Sequence, residues 1–254
     1  MTATARRVKA IAERTLGVHI SRTPPAPPGK HADGAIQQIR RWSSRDVVFD
    51  VGANDGRTVL RLQELLARPR IFAFEPVSST YRTLVQRTSQ LPNVRTFPLA
   101  LGAEPGEQTI YLNAMDSMNS FHQGWSSEPA GTETVQISTV DEVMTREGVD
   151  FVHLLKVDTE GYELEVLQGA ERALRASRIA IVQLEVGVEQ MAKRFLTLEE
   201  ARQHLAERGY RLQGIYNQCL TRANTPKEWS GEVSDGYRPD VLAYVDALFI
   251  RADL

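Results

Sequence analysis

Residues 46–56 read Asp46-Val47-Val48-Phe49-Asp50-Val51-Gly52-Ala53-Asn54-Asp55-Gly56, and Val59, Leu60, Leu65 and Leu66 follow at helical spacing. The short apolar run has the pattern of a buried strand, and the spacing after Gly56 is that of an amphipathic helix. Gly52 and Gly56 allow a tight turn between the two and a close approach of backbone to a ligand. Pro69 ends the helix, and Ile71-Phe72-Ala73-Phe74 makes a second short apolar strand that stops at Glu75-Pro76. The result is a βαβ unit with a glycine turn at the carboxyl end of its first strand.

The same alternation continues outward. A helix runs through Tyr81, Leu84 and Val85, and a third strand is predicted over residues 94–101, closing at Gly102. Beyond the turn Glu104-Pro105-Gly106-Glu107, the runs Thr109-Ile110-Tyr111-Leu112 and Thr134-Val135-Gln136-Ile137-Ser138 read as an inserted antiparallel pair. A short helix through Val140, Val143 and Met144 leads to a strand over 151–158, and Leu164, Leu167, Ala170 and Leu174 mark one further helix. Ile179 to Leu184 is a buried strand ending at Glu185, residues 198–205 a helix, and 210–216 with 241–250 the closing strands. Parallel strands need crossover connections, which are usually helices. The prediction is therefore a Rossmann-like α/β fold, a mostly parallel sheet with helices on both faces and an antiparallel C-terminal strand. Ligands bind beyond the carboxyl ends of such strands.

The N-terminal flank reads differently. Val8, Ile11, Ala12 and Leu16 recur at helical spacing beneath a basic face, and Pro24, Pro25, Pro27, Pro28 and Gly29 make a stiff linker. Residues 1–32 are expected to be helix and linker, and 33–254 a single domain, for which 254 residues with 42% hydrophobic side chains suffice. Thirty basic against 32 acidic residues leave no positive field to attract a phosphate backbone, so nucleic acid is not an expected partner. The single cysteine, Cys219, excludes an intramolecular disulfide framework and a Cys-rich zinc site, and fits a reducing cytoplasm. No apolar stretch approaches the roughly 18 residues of a membrane span, and Arg6, Arg7, Lys9, Glu13 and Arg14 interrupt the start of the chain. The expectation is a cytoplasmic protein without stable membrane insertion. Peripheral membrane contact and homo-oligomerisation stay open.

A dinucleotide loop would read G-x-G-x-x-G with a helix N-terminus facing a pyrophosphate, whereas here Gly52 and Gly56 flank Asn54. A phosphate-free ligand such as S-adenosylmethionine fits better. Asp50 is expected to accept from its amino group, directly or through water, the loop amides to meet its carboxylate, and Glu75 to span its vicinal ribose hydroxyls. The expected cofactor-binding set is Asp50, Gly52, Ala53, Asn54, Gly56, Glu75, Pro76 and Ala100. A calcium loop from Asp50, Asn54 and Asp55 fails on glycine position and on the missing bidentate Glu.

The stretch Leu154-Leu155-Lys156-Val157-Asp158-Thr159-Glu160-Gly161-Tyr162-Glu163 places Asp158 at a strand's carboxyl end and Glu160 just beyond it. Taken with Asp50 to Gly56, Phe74-Glu75-Pro76 and Ser138-Thr139-Val140-Asp141, the segment Leu155 to Gly161 makes residues 46–186 resemble the FkbM family of methyltransferases. The resemblance implies a class I methyltransferase fold, S-adenosylmethionine as donor, and transfer to oxygen in antibiotics, polyketides or sugars. The loops offer carboxylates and aromatics rather than a long apolar channel. The expected activity is thus O-methylation of a sugar hydroxyl in a natural product or glycoconjugate. A polyketide or other small-molecule hydroxyl, or a nucleotide-dependent enzyme on the same fold, are the competing readings.

Such a transfer needs an acceptor oxygen aligned with the methyl–sulfur axis and a base for its proton. The candidates are Asp158, Glu160, Glu185 and His122, the last in the loop between the inserted strands where a lid would sit. Asp158 and Glu185, ending successive strands, are also the candidates to hold magnesium, while capping of the following helix is the competing role for Asp158 and Glu160. His153 sits in a buried strand pattern and reads as packing. Trp125, Tyr162 and Tyr216-Asn217-Gln218 are candidates to face a sugar, and residues 225–240, with Trp229 and Tyr237, a second flap.

Overall fold

The computed structural model describes residues 32–113, 119–122, 129–187, 195–222 and 240–254. Helix α1 (Ala32–Ile39) precedes β1 (Val47–Val51), α2 (Arg57–Leu65), β2 (Arg70–Phe74), α3 (Ser78–Thr88) and β3 (Val94–Phe97). Strands β4 (Ala100–Leu101), β5 (Gly106–Asn113) and β6 (Pro129–Ser138) come next, then α4 (Val140–Arg146), β7 (Val152–Val157), α5 (Glu163–Gln168) and α6 (Glu171–Arg175). The chain continues through β8 (Ile179–Gly187), α7 (Leu198–Ala206), β9 (Tyr210–Arg222) and β10 (Asp240–Arg251).

Among the described residues, seven strands form one sheet in the order β3-β2-β1-β7-β8-β10-β9. Strands β3, β2, β1, β7 and β8 run parallel, and β10 is antiparallel to both β8 and β9. This is the class I methyltransferase architecture. The two-residue period of each strand sorts its side chains between two cores. Phe49, Val51, Leu155 and Leu184 pack with Val143, Val166, Leu174 and Leu205 of α4 to α7 on one face. Val48, Leu154, Ile181 and Leu248 pack with Ile36, Leu62 and Leu84 of α1 to α3 on the other. Phe49, Phe72, Phe74 and Phe97 form a chain of ring contacts with centroids 5.1 to 6.0 Å apart, each pair worth about 0.5–1.5 kcal/mol beyond the area it buries.

Three expectations are corrected. The strand predicted over 94–101 is two: β3 stays in the main sheet, while β4 joins β6 and β5 in a separate three-stranded sheet. Pro98 lies between them and has no N–H to continue the ladder. The helix marked by Leu164 to Leu174 is also two, parted near Gly169, where a β-carbon would collide with the Gly102 carbonyl. Helix α1 was not anticipated; Ala32 and Ile36 anchor it in the core and its Asp33 pairs with Arg61. The inserted antiparallel pair is present as β5 and β6. Strands β9 and β10 run longer than predicted, with irregular register around Tyr244. The expected N-terminal helix and proline linker lie outside the described residues. No described helix is long and apolar enough to cross a membrane.

Candidate active site

Strand register places a polar row on one face of the sheet, next to the carboxyl ends. Asp50 pairs with Lys156 and Lys156 with Gln183, so all three side chains share a face with Asp158 and Glu185 two residues further on. Lys156 is buried, its Nζ 3.3 Å from Asp50 Oδ1 and 3.0 Å from Asp158 Oδ2. Burial alone favours a neutral lysine, but Asp158 and Asp50 outweigh it and hold Lys156 protonated. Gln183 Nε2 donates to Asp246 Oδ2 at 3.1 Å, and Asn217 donates to the same carboxylate. Burial and the nearby Asp158 push Asp246 up to about 6.

The glycine turn works differently from its reading in the sequence. Gly52 N and Ala53 N both donate to the Phe74 carbonyl, at 3.1 and 2.9 Å, and Gly56 N donates to Ala53 O at 3.0 Å. Asn54 N donates to Glu75 Oε2 at 3.0 Å and Asp55 N to Asn54 Oδ1 at 2.6 Å. These amides are engaged within the protein rather than presented to a carboxylate. Gly52, with φ 77°, is required because a β-carbon would strike the Asp158 carbonyl, which lets β1 and β7 close at the sheet edge. Ala53 is packed in the core, and a β-carbon at Gly56 would press on Leu84, so neither lines the cavity. Asp50 is fully buried and faces Lys156, which corrects its expected contact with an amino group.

The cavity at the carboxyl ends of β1, β2, β7 and β8 has a volume of about 320 Å³. Gly52, Asn54, Glu75, Pro76 and Ala100 of the expected set line it. Glu75 is anchored by accepting Asn54 N and Val77 N, one per carboxylate oxygen, at 3.0 Å each. Beside it, Val77, Ile110, Phe121 and Tyr162 make an apolar wall. Phe121 and Tyr162 rings meet at 4.4 Å, and Tyr162 Oη donates to Gln108 Oε1 at 2.8 Å.

At the other end Asp158, Glu160 and Glu185 each bring a carboxylate oxygen within 4.8 Å of the others. Burial, together with Asp158 and Glu160, raises Glu185 well above the ordinary carboxylate range. Hard oxygen ligands so close suit a divalent cation as well as proton transfer. The N-cap of α5 is Tyr162, without a side-chain cap bond, and the Asp158 carboxylate accepts from Lys156 Nζ. Glu163, passed over in the sequence, is fully buried, and its Oε1 accepts from Thr159 N, Thr159 Oγ1 and Gly161 N at 3.0, 2.9 and 3.2 Å. Burial pushes it up to about 7.

His122 does not line the cavity. Its Nε2 donates to the Gly161 carbonyl at 2.8 Å, which is not the arrangement of a free base. His153 is structural as expected, though through polar bonds: Nδ1 accepts from Val47 N at 3.0 Å and Nε2 lies 3.1 Å from Asp46 Oδ1. Tyr216 packs on the core rather than toward a ligand. Trp125, Trp229, Tyr237 and the side chain of Gln218 lie outside the described residues.

Residues 50–212 match the model of the FkbM methyltransferase domain. The chain belongs to this family. The FkbM domain here is 31% identical over 145 residues to the hexuronic acid methyltransferase AglP of Haloferax volcanii, covering 57% of this chain and 58% of that protein. It is 23% identical over 146 residues to the 2-O-methyltransferase NoeI of Sinorhizobium fredii, covering 52% and 60%. The chain thus spans somewhat over half the length of these relatives. It is also similar to the solved structure of an rRNA methylase from Streptococcus thermophilus, at 11% identity and TM-score 0.49, covering 87% of this chain and 93% of that one.

Proposed function

We propose that this FkbM domain transfers a methyl group from S-adenosylmethionine to a hydroxyl of a neutral sugar in a natural product or glycoconjugate. One observation carries the reading: a single cavity joins a nucleoside-like end, Glu75 beside an apolar wall, to the acid trio Asp158, Glu160 and Glu185. The name of AglP, a hexuronic acid methyltransferase, supports a sugar as the acceptor, and that of NoeI, a 2-O-methyltransferase, supports transfer to oxygen, while neutrality of the sugar rests on the cavity lining alone.

The residues suit that donor. Glu75 would accept from vicinal ribose hydroxyls, Val77, Ile110 and Phe121 would cover a purine, and the acids would favour the positive end of the molecule. When bound, S-adenosylmethionine supplies the electrophilic methyl group. Glu185 is assigned the hydroxyl proton because it lines the cavity beside Asp158, whose own carboxylate is paired with Lys156. A positioned base of this kind typically contributes about 10²–10⁴ in rate. The acceptor is uncharged near the reacting hydroxyl, since the cavity lining holds carboxylates and, among the described residues, no cationic side chain.

A second reading has the trio hold a divalent cation that acidifies the acceptor hydroxyl, and the 4.8 Å spacing favours it. The test is calorimetric titration with S-adenosylmethionine, S-adenosylhomocysteine and NAD, followed by turnover on neutral glycosides and polyketide alcohols with and without EDTA. Binding of the first two ligands, glycoside methylation and EDTA resistance are expected. Binding of NAD alone overturns the methyltransferase reading, and loss of turnover in EDTA transfers the trio's role to a cation.

A further inference from the structure

Residues 119–122 of the insertion run beside β5, where Tyr111 and Ser120 exchange both backbone hydrogen bonds, at 2.8 and 3.1 Å. Ser120 makes this one bridge and the chain bends at Phe121 and His122. Asn119 and Phe121 line the cavity. Ser120 and His122 instead grip the turn after β7: Ser120 Oγ donates to the Glu160 carbonyl and His122 Nε2 to the Gly161 carbonyl, both at 2.8 Å.

Those two carbonyls belong to residues with left-handed backbone, Glu160 at φ 55° and Gly161 at φ 100°. A non-glycine residue holds that conformation where its surroundings over-determine it. Glu163 fastens the turn from within by accepting from Thr159 N and Gly161 N. The carbonyls are fastened from outside, by the insertion. The same contact continues one residue on, where Phe121 meets Tyr162.

We propose that Ser120 and His122 are positioning residues that hold Glu160 beside Asp158 and Glu185, so that the insertion couples contact at the cavity wall to the geometry of the acid trio. The proposal rests on the reading of this cavity as a methyl-transfer site. A ligand pressed on Asn119 and Phe121 fixes the segment whose other side fixes the turn. A misplacement of about 1 Å in a reacting group costs on the order of a hundredfold in rate, so release of the turn is read in turnover rather than in donor affinity.

The test compares the full chain with the Ser120→Ala/His122→Ala double variant and with His122→Gln, which keeps an amide donor near the Gly161 carbonyl. Amide exchange at Thr159 to Gly161, measured by NMR, and affinity for S-adenosylhomocysteine, measured by calorimetry, need no acceptor. Turnover uses p-nitrophenyl glycosides of neutral hexoses. Expected in the double variant are exchange at those amides faster by about tenfold or more, S-adenosylhomocysteine affinity within about twofold, and kcat lower by about tenfold to a hundredfold with KM for donor unchanged. His122→Gln, with Ser120 intact, should stay close to the unaltered protein in both. Unchanged exchange, or donor affinity falling in step with exchange, overturns the proposal. If the unaltered protein methylates none of the glycosides, the acceptor reading fails by itself, while exchange and its rescue still decide the latch.

Discussion

Lys156 Nζ donates to Asp158 Oδ2 at 3.0 Å from a position almost without solvent, while Asp50 waits behind it at 3.3 Å with no exposure at all. A buried ion pair contributes little net stability when both partners are present, but removing one leaves the other charge uncompensated, at about 3–5 kcal/mol. Lys156→Met is therefore expected to destabilise the fold by that amount. Asp50→Asn should cost less, because Lys156 keeps Asp158. Urea denaturation of the two variants checks the order, and equal losses would dissolve the distinction.

Glu185 and Glu75 sit in one cavity but are assigned different work, which separates their variants. Glu185→Gln keeps shape and removes the proton acceptor, so kcat should fall by about 10²–10⁴ with S-adenosylhomocysteine affinity unchanged. Glu75→Ala removes charged hydrogen bonds to ribose hydroxyls, each worth about 1.5–3 kcal/mol, so both S-adenosylmethionine and S-adenosylhomocysteine should bind at least about tenfold more weakly. Calorimetry and initial rates on both variants check this. Loss of donor binding in Glu185→Gln would remove it from the role of base.

The parity that builds the acid site was open to a reader of the chain. Lys156 and Asp158, like Gln183 and Glu185, are two residues apart on neighbouring strands, and a two-residue spacing means one face. The βαβ frame, the inserted hairpin and the antiparallel closing strand were likewise legible, because each rests on local periodicity or on a turn. What could not be read were partnerships between distant segments. Gly52 N and Ala53 N are consumed by the Phe74 carbonyl, and His122 by the Gly161 carbonyl, and no local pattern announces either. The need for glycine at position 169 is of the same kind, since a β-carbon there would meet the backbone of Gly102.

Glu163 gives a stability that depends on pH in the direction opposite to a salt-bridged acid. Its folded value of about 7 lies above the ordinary 4.5, so the folded state binds the proton more tightly than the unfolded chain. Its contribution is fully present below about pH 4.5 and is lost as pH rises through about 7, a change on the order of 3 kcal/mol. The buried Oε2 has no hydrogen-bond partner among the described residues, as a site for that proton. Glu163→Gln retains an acceptor for Thr159 and Gly161 and removes the titration. The melting temperature of the variant relative to the unaltered protein should climb between pH 4.5 and 7 and level off above. A difference constant across that range would show that Glu163 is ionised throughout.

The charge of the cavity makes a sharper demand on the acceptor than its shape does. Glu75, Asp158, Glu160 and Glu185 line it, Lys156 is spent on Asp50 and Asp158, and among the described residues no other cation reaches the lining. Like charges set against one another in a partly desolvated site cost several kcal/mol. A hexuronide should therefore be methylated more slowly than the matching neutral hexoside, by about tenfold or more in kcat/KM, and its methyl ester should recover the difference. Rising salt should narrow the gap, because screening weakens the repulsion. A hexuronide preferred at low salt would require a positive group at the acceptor end. EDTA would then tell a bound cation, whose removal abolishes the preference, from a side chain outside the described segments, whose effect survives it.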